Sequence, residues 1–184
     1  MAQRKPGGRR RRSIRLPGYD YRSIGAYFVT ICTHRRARLF GKIDGGVVHL
    51  SAIGHVVATE WHVIAQHHPT SIPNAWIVMP DHFHGILMLA NTTGAPDIAH
   101  PVLDGKGTDI RRRLRPPPNG PPSQSLGAII GSFKAATTRR INLRRRTPGM
   151  AVWQRGYDEH VIRSERALAR IRTYIAQNPV QWRG

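Results

Sequence analysis

Residues 75–89 are the stretch that most constrains how this chain folds. Two short apolar runs flank Pro80-Asp81, a pattern that predicts a β-hairpin with a tight turn. His82 and His84 open the second run and are separated by Phe83. Because side chains alternate across a strand, both imidazoles project from one face while Phe83 packs on the other. Two adjacent imidazoles can bind a divalent metal, although such a pair also occurs as ordinary surface or core histidines.

The charge balance indicates a polyanionic partner. Lysine and arginine number 29 against 10 aspartate and glutamate residues, which gives a formal net charge of +19 in 184 residues. Most of the basic residues are arginines, whose guanidinium groups suit bidentate contacts with phosphate. An excess of this size is typical of nucleic-acid-binding proteins. A membrane surface is disfavoured as the partner, because the sequence has no amphipathic basic helix with a broad apolar face.

Length and composition favour one cytoplasmic domain. No apolar run approaches the length of a membrane span, and the basic N-terminus lacks the apolar core of a secretory signal. The single cysteine, Cys32, excludes an internal disulfide and a cysteine-based zinc site. It lies in an apolar run, which predicts a buried, inert thiol.

Two segments stand apart from the predicted domain, which covers residues 21–184. Residues 1–20 are predicted to be a basic flexible arm that contacts nucleic acid, with a solvated tail as the alternative. Residues 91–123 are rich in proline, glycine and arginine and are predicted to be a disordered insertion. The arm's candidate DNA contacts are Arg9, Arg10, Arg11, Arg12 and Arg15.

Hydrophobic periodicity predicts an α+β fold, in which an antiparallel sheet carries helices on one face. The open face would be a platform for single-stranded nucleic acid. Proline at position 179 is expected to end the last helix. The predicted strands cover residues 26–34, 47–50, the hairpin and 152–162, and the predicted helices cover 52–67, 126–143 and 165–178.

The last predicted helix carries Tyr174 and, one turn later, Asn178 on the same face. A tyrosine hydroxyl can act as a nucleophile and form a covalent intermediate, with help from a cation because a phenol is mostly protonated at neutral pH. The Asn178 amide oxygen could be a third ligand beside the two histidines, a set that suits Mn or Mg. By helix position alone, however, Tyr174 is more typical of an ordinary tyrosine with its hydroxyl in water.

These motifs resemble a known superfamily. His82-Phe83-His84 is similar to the His-hydrophobic-His motif of the HUH endonucleases, and residues 76–87 resemble the single-tyrosine transposases of small insertion sequences. Residues 15–21, 26–33, 152–163 and 174–180 resemble the REP-associated tyrosine transposases in particular. The resemblance covers nearly the whole chain except the proline-rich insertion.

The resemblance implies a ferredoxin-like sheet, with His82, His84 and Asn178 as ligands of a divalent metal and Tyr174 as the nucleophile. It further implies cleavage of single-stranded DNA near a hairpin, through a covalent 5′-phosphotyrosine link that releases a 3′-hydroxyl. The family's substrates suggest association with the bacterial nucleoid, and its members leave both a monomer and a homodimer open.

Other residues are weaker candidates. Arg139, Arg140, Arg155 and Arg163 are interpreted as further DNA contacts. Tyr157 and His160 are read as packing or DNA-contacting residues outside the catalytic set, His67-His68 as a helix end, and Asp81 as a turn cap whose side chain points away from the histidines. Two functions beside the nuclease stay open: a non-cleaving regulator that binds hairpin DNA or RNA, and a metallohydrolase that activates water.

Overall fold

Strands and helices alternate along the backbone of the computed structural model, which describes residues 20–90, 121 and 123–183. Most of the basic arm and of the 91–123 insertion therefore lies outside the described residues. The strands are β1 (Gly25–Cys32), β2 (Gly41–Asp44), β3 (Val47–Leu50), β4 (Ser71–Met79), β5 (His82–Leu89) and β6 (Asp158–Ile162). The helices are α1 (Ala52–His62), α2 (Ile64–His67), α3 (Leu126–Arg145) and α4 (Glu165–Gln181).

Four strands form one antiparallel sheet in the order β4-β5-β1-β6. With β2, β3, α2 and α4 set aside, the chain runs β1-α1-β4-β5-α3-β6, which is the ferredoxin-like βαββαβ pattern. The predicted α+β class and the antiparallel sheet are confirmed. β2 and β3 form a separate two-stranded ribbon, of which the sequence predicted only the second strand.

Helices cover both faces of the sheet, where the sequence predicted one. The main core packs α1 and α3 against alternate residues of β1 and β5, with Trp61 and Phe83 at its centre. The other alternate set on these central strands includes apolar residues, and a smaller cluster of them packs against α4. The face expected to be open is therefore partly covered by α4.

Serine begins each of the three long helices. The side-chain oxygen of Ser51 accepts a hydrogen bond from Gly54 N, Ser125 from Ala128 N and Ser164 from Ala167 N. Each bond satisfies a backbone donor that the first turn leaves unpaired, so the sequence marks these helix starts directly.

Helix ends and strand starts were harder to predict. The helix predicted over 52–67 breaks at Val63 into α1 and α2, and the strand predicted from residue 152 begins only at Asp158. α4 continues through Pro179 to Gln181, so the prediction that Pro179 ends the helix was wrong. Pro179 lies in the last turn and is buried, and we attribute its tolerance to the loss of a single backbone hydrogen bond there.

Because Gly85 on β5 has no side chain, the Phe83 and Trp61 rings can pack close to its backbone. A Cβ atom at this position would lie 2.7 Å from both the Phe83 and the Trp61 ring. We expect Gly85→Ala to lower the free energy of unfolding by about 1–3 kcal/mol, because two buried rings would have to move. Gly131→Ala on α3, where a Cβ would meet nothing within 4 Å, should raise it by about 0.5–1 kcal/mol. Equal effects of the two substitutions in denaturant unfolding would contradict this account of the core.

Candidate active site

α4 brings the predicted tyrosine and asparagine onto the histidine pair. The Tyr174 hydroxyl lies 3.4 Å from His84 Nε2, and Asn178 lines the same cavity as His82. Tyr174 keeps 43% of its surface exposed, whereas Asn178 is buried. Phe28 contacts both functional rings. It meets the Tyr174 ring edge to face and stacks on the His84 ring, and these two contacts orient both rings. Two pairs of residues that are distant from each other in sequence therefore meet at one point on the sheet.

The two imidazoles face each other through their Nε2 atoms. These atoms are 3.1 Å apart, and both side chains are buried. His84 Nδ1 lies 2.9 Å from the Thr30 hydroxyl, which is its cross-strand partner on β1. Because a hydroxyl can donate or accept, Thr30 is compatible with either tautomer of His84. The pair can thus share one proton between its Nε2 atoms or direct both lone pairs at a cation.

Asp81 contacts the histidine pair directly. Its Oδ1 lies 2.6 Å from His82 Nδ1, and its Oδ2 lies 3.3 Å from Arg36 Nε. The prediction that this side chain points away was wrong, because Asp81 belongs to the β4–β5 turn and does not follow the alternation of β5. A carboxylate on Nδ1 fixes the His82 tautomer that leaves Nε2 free as a ligand.

Burial keeps both imidazoles neutral. Desolvation lowers the pKa of His84 to about 3, and the neighbouring His82 and Arg36 charges act in the same direction. Desolvation also lowers the pKa of His82, against the opposing effect of the Asp81 carboxylate. Neutral imidazole is the form that binds metal ions.

The donor set fits a divalent cation. Two ring nitrogens bound at right angles to one ion, each about 2.1 Å away, would be roughly 3.0 Å apart, close to the separation seen here. The described residues contain no group of three or more His, Cys, Asp or Glu side chains placed to hold a metal. Any ion at this site would therefore depend on the Asn178 amide and on oxygen atoms of substrate or water to complete its shell.

A cavity of about 500 Å³ opens in front of these residues. Its wall includes groups that the sequence reasoning did not single out: Thr30, Arg36, Asp158 and, after the tyrosine, Gln181, Trp182 and Arg183. Cys32 also lines it, with Sγ 3.0 Å from Arg36 Nη1, and burial raises the pKa of this thiol. Strand alternation could have identified Thr30 and Cys32, which are the cross-strand partners of His84 and His82 and lie on the same face of the sheet. No local sequence motif predicts the left-handed backbone conformation of Arg36.

The other predicted site residues lie away from the cavity. Arg139 and Arg140 are on α3, which covers the opposite face, and Arg140 pairs with buried Glu60 at 2.8 Å. Arg155 and Arg163 are exposed in the segments before and after β6. Tyr157 packs against the main core and His160 is exposed on β6, so neither lines the cavity. The predicted DNA contacts from Arg9 to Arg15 lie outside the described residues.

Acid should destabilise the fold through the two histidines. Because folding depresses both pKa values, the unfolded chain takes up protons first as the pH falls below about 6.5. As far as these histidines are concerned, the free energy of unfolding is therefore highest above this pH and declines below it. For His84 the decline continues until the pH reaches about 3. We expect His84→Gln to reduce the slope of unfolding free energy against pH by about 1 kcal/mol per unit between pH 6 and 5.

The measurement is denaturant unfolding of both proteins in metal-free buffer. Tyr174→Phe is the control, since it leaves both imidazoles in place and should keep the wild-type slope. Identical slopes for wild type and His84→Gln would show that His84 does not titrate with folding.

Known proteins resemble the chain in sequence and in structure. No family model matches it. An uncharacterized protein of Haemophilus influenzae is 36% identical over 172 residues, which cover 94% of this chain and 89% of that protein. A solved REP-associated tyrosine transposase, bound to a REP hairpin, aligns with 91% of this chain and 73% of its own at 19% identity and a TM-score of 0.52. A Deinococcus radiodurans structure is more distant, with a TM-score of 0.46. The chain belongs to the same family as the Haemophilus influenzae protein and has the fold of the REP-associated tyrosine transposase.

Proposed function

We propose that this protein is a metal-dependent single-stranded DNA endonuclease and strand transferase, a transposase that uses Tyr174 as its nucleophile. One observation carries the proposal: α4 presents Tyr174 and Asn178 to the His82–His84 pair inside a single cavity. A structural tyrosine would need neither the paired imidazoles nor the carboxylate behind them. The likeness to a transposase solved with a hairpin supports a hairpin-bearing DNA substrate.

The charge distribution supports a nucleic-acid substrate. Arg36 and Arg183 line the cavity, and the chain as a whole has a net charge of +19. A space of about 500 Å³ accommodates a nucleotide-sized group. The reacting phosphate must reach the Tyr174 hydroxyl in the wall of this cavity, which favours a flexible single strand over a rigid duplex.

The proposed reaction exchanges one phosphoester for another. The Tyr174 oxygen attacks phosphorus and forms a tyrosyl 5′-phosphodiester, while the bond from phosphorus to the 3′ oxygen breaks. That oxygen leaves with a proton as a 3′-hydroxyl, and the phenol proton is lost to a base or to solvent. Attack by the 3′-hydroxyl of another strand reverses the exchange, so joining needs no external energy source.

His82, His84 and Asn178 would hold Mg or Mn. When bound, such an ion polarises the scissile phosphate and offsets the charge that develops during attack. The chain's own residues do the remaining work. Phe28 and the α4 backbone position the phenol, Asp81 fixes the His82 ring, and Arg36 adds positive charge at the cavity wall.

Covalent trapping tests the proposal directly. The wild-type protein is mixed with Mn or Mg and with 3′-end-labelled hairpin oligonucleotides from the repeats flanking its gene, and the products are separated on a denaturing protein gel. We expect a labelled band at protein mass that requires metal. Tyr174→Phe should abolish this band, because phenylalanine has no nucleophilic oxygen, while leaving DNA binding intact.

Tyr157→Phe is the matched control, since it removes the other tyrosine hydroxyl of this region and should leave the band unchanged. An adduct that persists in Tyr174→Phe would show that another residue is the nucleophile. Nicked DNA without adduct would point to a water-activating metallohydrolase. Binding without any adduct would favour the non-cleaving regulator.

The Asp81 carboxylate should tune metal affinity. We expect Asp81→Asn to weaken Mn binding by about 10–100-fold, because an amide orients and polarises the His82 ring less well than a carboxylate. Calorimetric titration of the apoprotein with Mn measures the effect. Asp44→Asn, an exposed carboxylate on β2, is the control for charge alone. Equal Mn affinity in wild type and Asp81→Asn would contradict the role given to His82 as a ligand.

A further inference from the structure

A second groove lies beside the candidate active site and has no role in the chemistry above. It encloses about 380 Å³ between the β2–β3 ribbon and the start of α1. Its polar lining consists of Arg38, Lys42, His49 and Ser51, and no acidic side chain among the described residues contributes to it. A groove lined by cationic and hydrogen-bonding groups suits an anionic ligand.

Two of the lining side chains are adjacent on the ribbon. Lys42 and His49 are cross-strand partners in the ribbon, so their side chains stand side by side on one face, and both are exposed. The ion pairs between described residues engage other side chains, and none of them involves Arg38 or Lys42. Arg38 and Lys42 therefore form no ion pair with a described carboxylate, and the phosphates of a bound strand would supply partners for both.

The floor of the groove is rigid. Ser51 donates a hydrogen bond to Leu39 O at 2.8 Å while capping α1. A Cβ atom at Gly54 would overlap the Phe40 carbonyl, and one at Gly41 would overlap the His49 carbonyl, so these backbones are in direct contact. A groove built on tightly packed backbone keeps its shape before a ligand arrives, which lowers the entropic cost of binding.

The groove and the catalytic cavity meet where Arg38 lies over Trp182. The Arg38 guanidinium lies 5.0 Å from the centroid of the Trp182 ring, and Trp182 lines the catalytic cavity. The turn of the ribbon also meets α4, since a Cβ at Gly46 would lie 3.2 Å from Val180 Cγ2. A strand leaving the Tyr174 phosphate past Trp182 would therefore enter the groove at Arg38.

We propose that this groove binds the sugar–phosphate backbone of the single strand adjoining the cleavage site, with Arg38 and Lys42 each contacting a phosphate and His49 donating a further hydrogen bond. The inference rests on the proposed function for the identity of the strand. It assigns the groove to single-stranded DNA next to the hairpin and not to the hairpin stem. Phosphate contacts position a strand without reading its sequence, so the effect should be the same for different tail sequences.

The test compares two DNA probes in metal-free buffer, where no cleavage occurs. One probe is a hairpin with a single-stranded tail of about ten nucleotides, and the other is the same hairpin without the tail. Binding of the full-length protein is measured by fluorescence anisotropy over a range of salt concentrations. Lys42→Gln should weaken binding of the tailed probe by roughly 3–10-fold and reduce the slope of log affinity against log salt by about 1.

Arg38→Gln should act in the same way, and neither variant should weaken binding of the tailless probe by more than about twofold. Arg144→Gln is the matched control, because it removes one exposed charge on α3, on the far side of the sheet. Both groove residues are exposed, so the variants should keep the wild-type thermal midpoint. Equal losses in Lys42→Gln and Arg144→Gln, or equal losses for the two probes, would overturn the proposal.

The adduct assay on the same proteins separates this inference from the proposed function. If the wild type forms an adduct and Lys42→Gln binds the tailed probe normally, the groove assignment fails and the nuclease stands. If the wild type forms no adduct and Lys42→Gln still loses affinity for the tail, the nuclease fails and the groove remains a strand-binding site.

Discussion

The candidate site depends on the packing of α4 against the second face of the sheet. Leu168 and Ile175 are buried there against Ala26, Ile86 and Ile162. Full burial of one such side chain stabilises a fold by about 1.5–3 kcal/mol, so a small cluster suffices to hold the helix. Tyr174 directly precedes Ile175, and a shift of this contact would move the phenol away from the histidines.

Strand and helix repeats explain why two pairs of residues meet at once. Residues two apart on a strand are about 6.8 Å apart, and residues four apart on a helix are about 6.0 Å apart. These lengths are similar, so His84 can face Tyr174 while His82 faces Asn178, with α4 antiparallel to β5. Because the two spacings match, each residue of the helix pair can lie beside one histidine of the strand pair. The Asp81 turn and Thr30 then fix the rings from the side away from the tyrosine.

Local patterns predicted the hairpin, its paired histidines and the approximate helix starts, because strand alternation and helical spacing depend on near neighbours. Tyr174 and Asn178 were singled out by the resemblance to the tyrosine transposases, since helix position alone does not distinguish Tyr174 from an ordinary surface tyrosine. The position of Asp81 could not be read in this way, since a turn residue departs from strand alternation. Arg36 reaches Asp81 from a left-handed turn after β1, which tertiary contacts stabilise. The helix at 165–178 was predicted, but its placement on the second face of the sheet was missed for a related reason. Apolar residues on both faces of β1 and β5 are visible in the sequence, but their partner helix is not.

The continuation of α4 through Pro179 brings residues of the catalytic cavity into contact with the elements that line the basic groove. A helix ending at Asn178 would have released the following residues from the ribbon, whereas the extra turn places Val180 beside Gly46 and leads into Trp182 beneath Arg38. The helix that carries the nucleophile thus contacts the element that lines the basic groove. A strand held in that groove would have a defined position relative to Tyr174, and orientation of this kind lowers the barrier to attack without any change in the reacting groups.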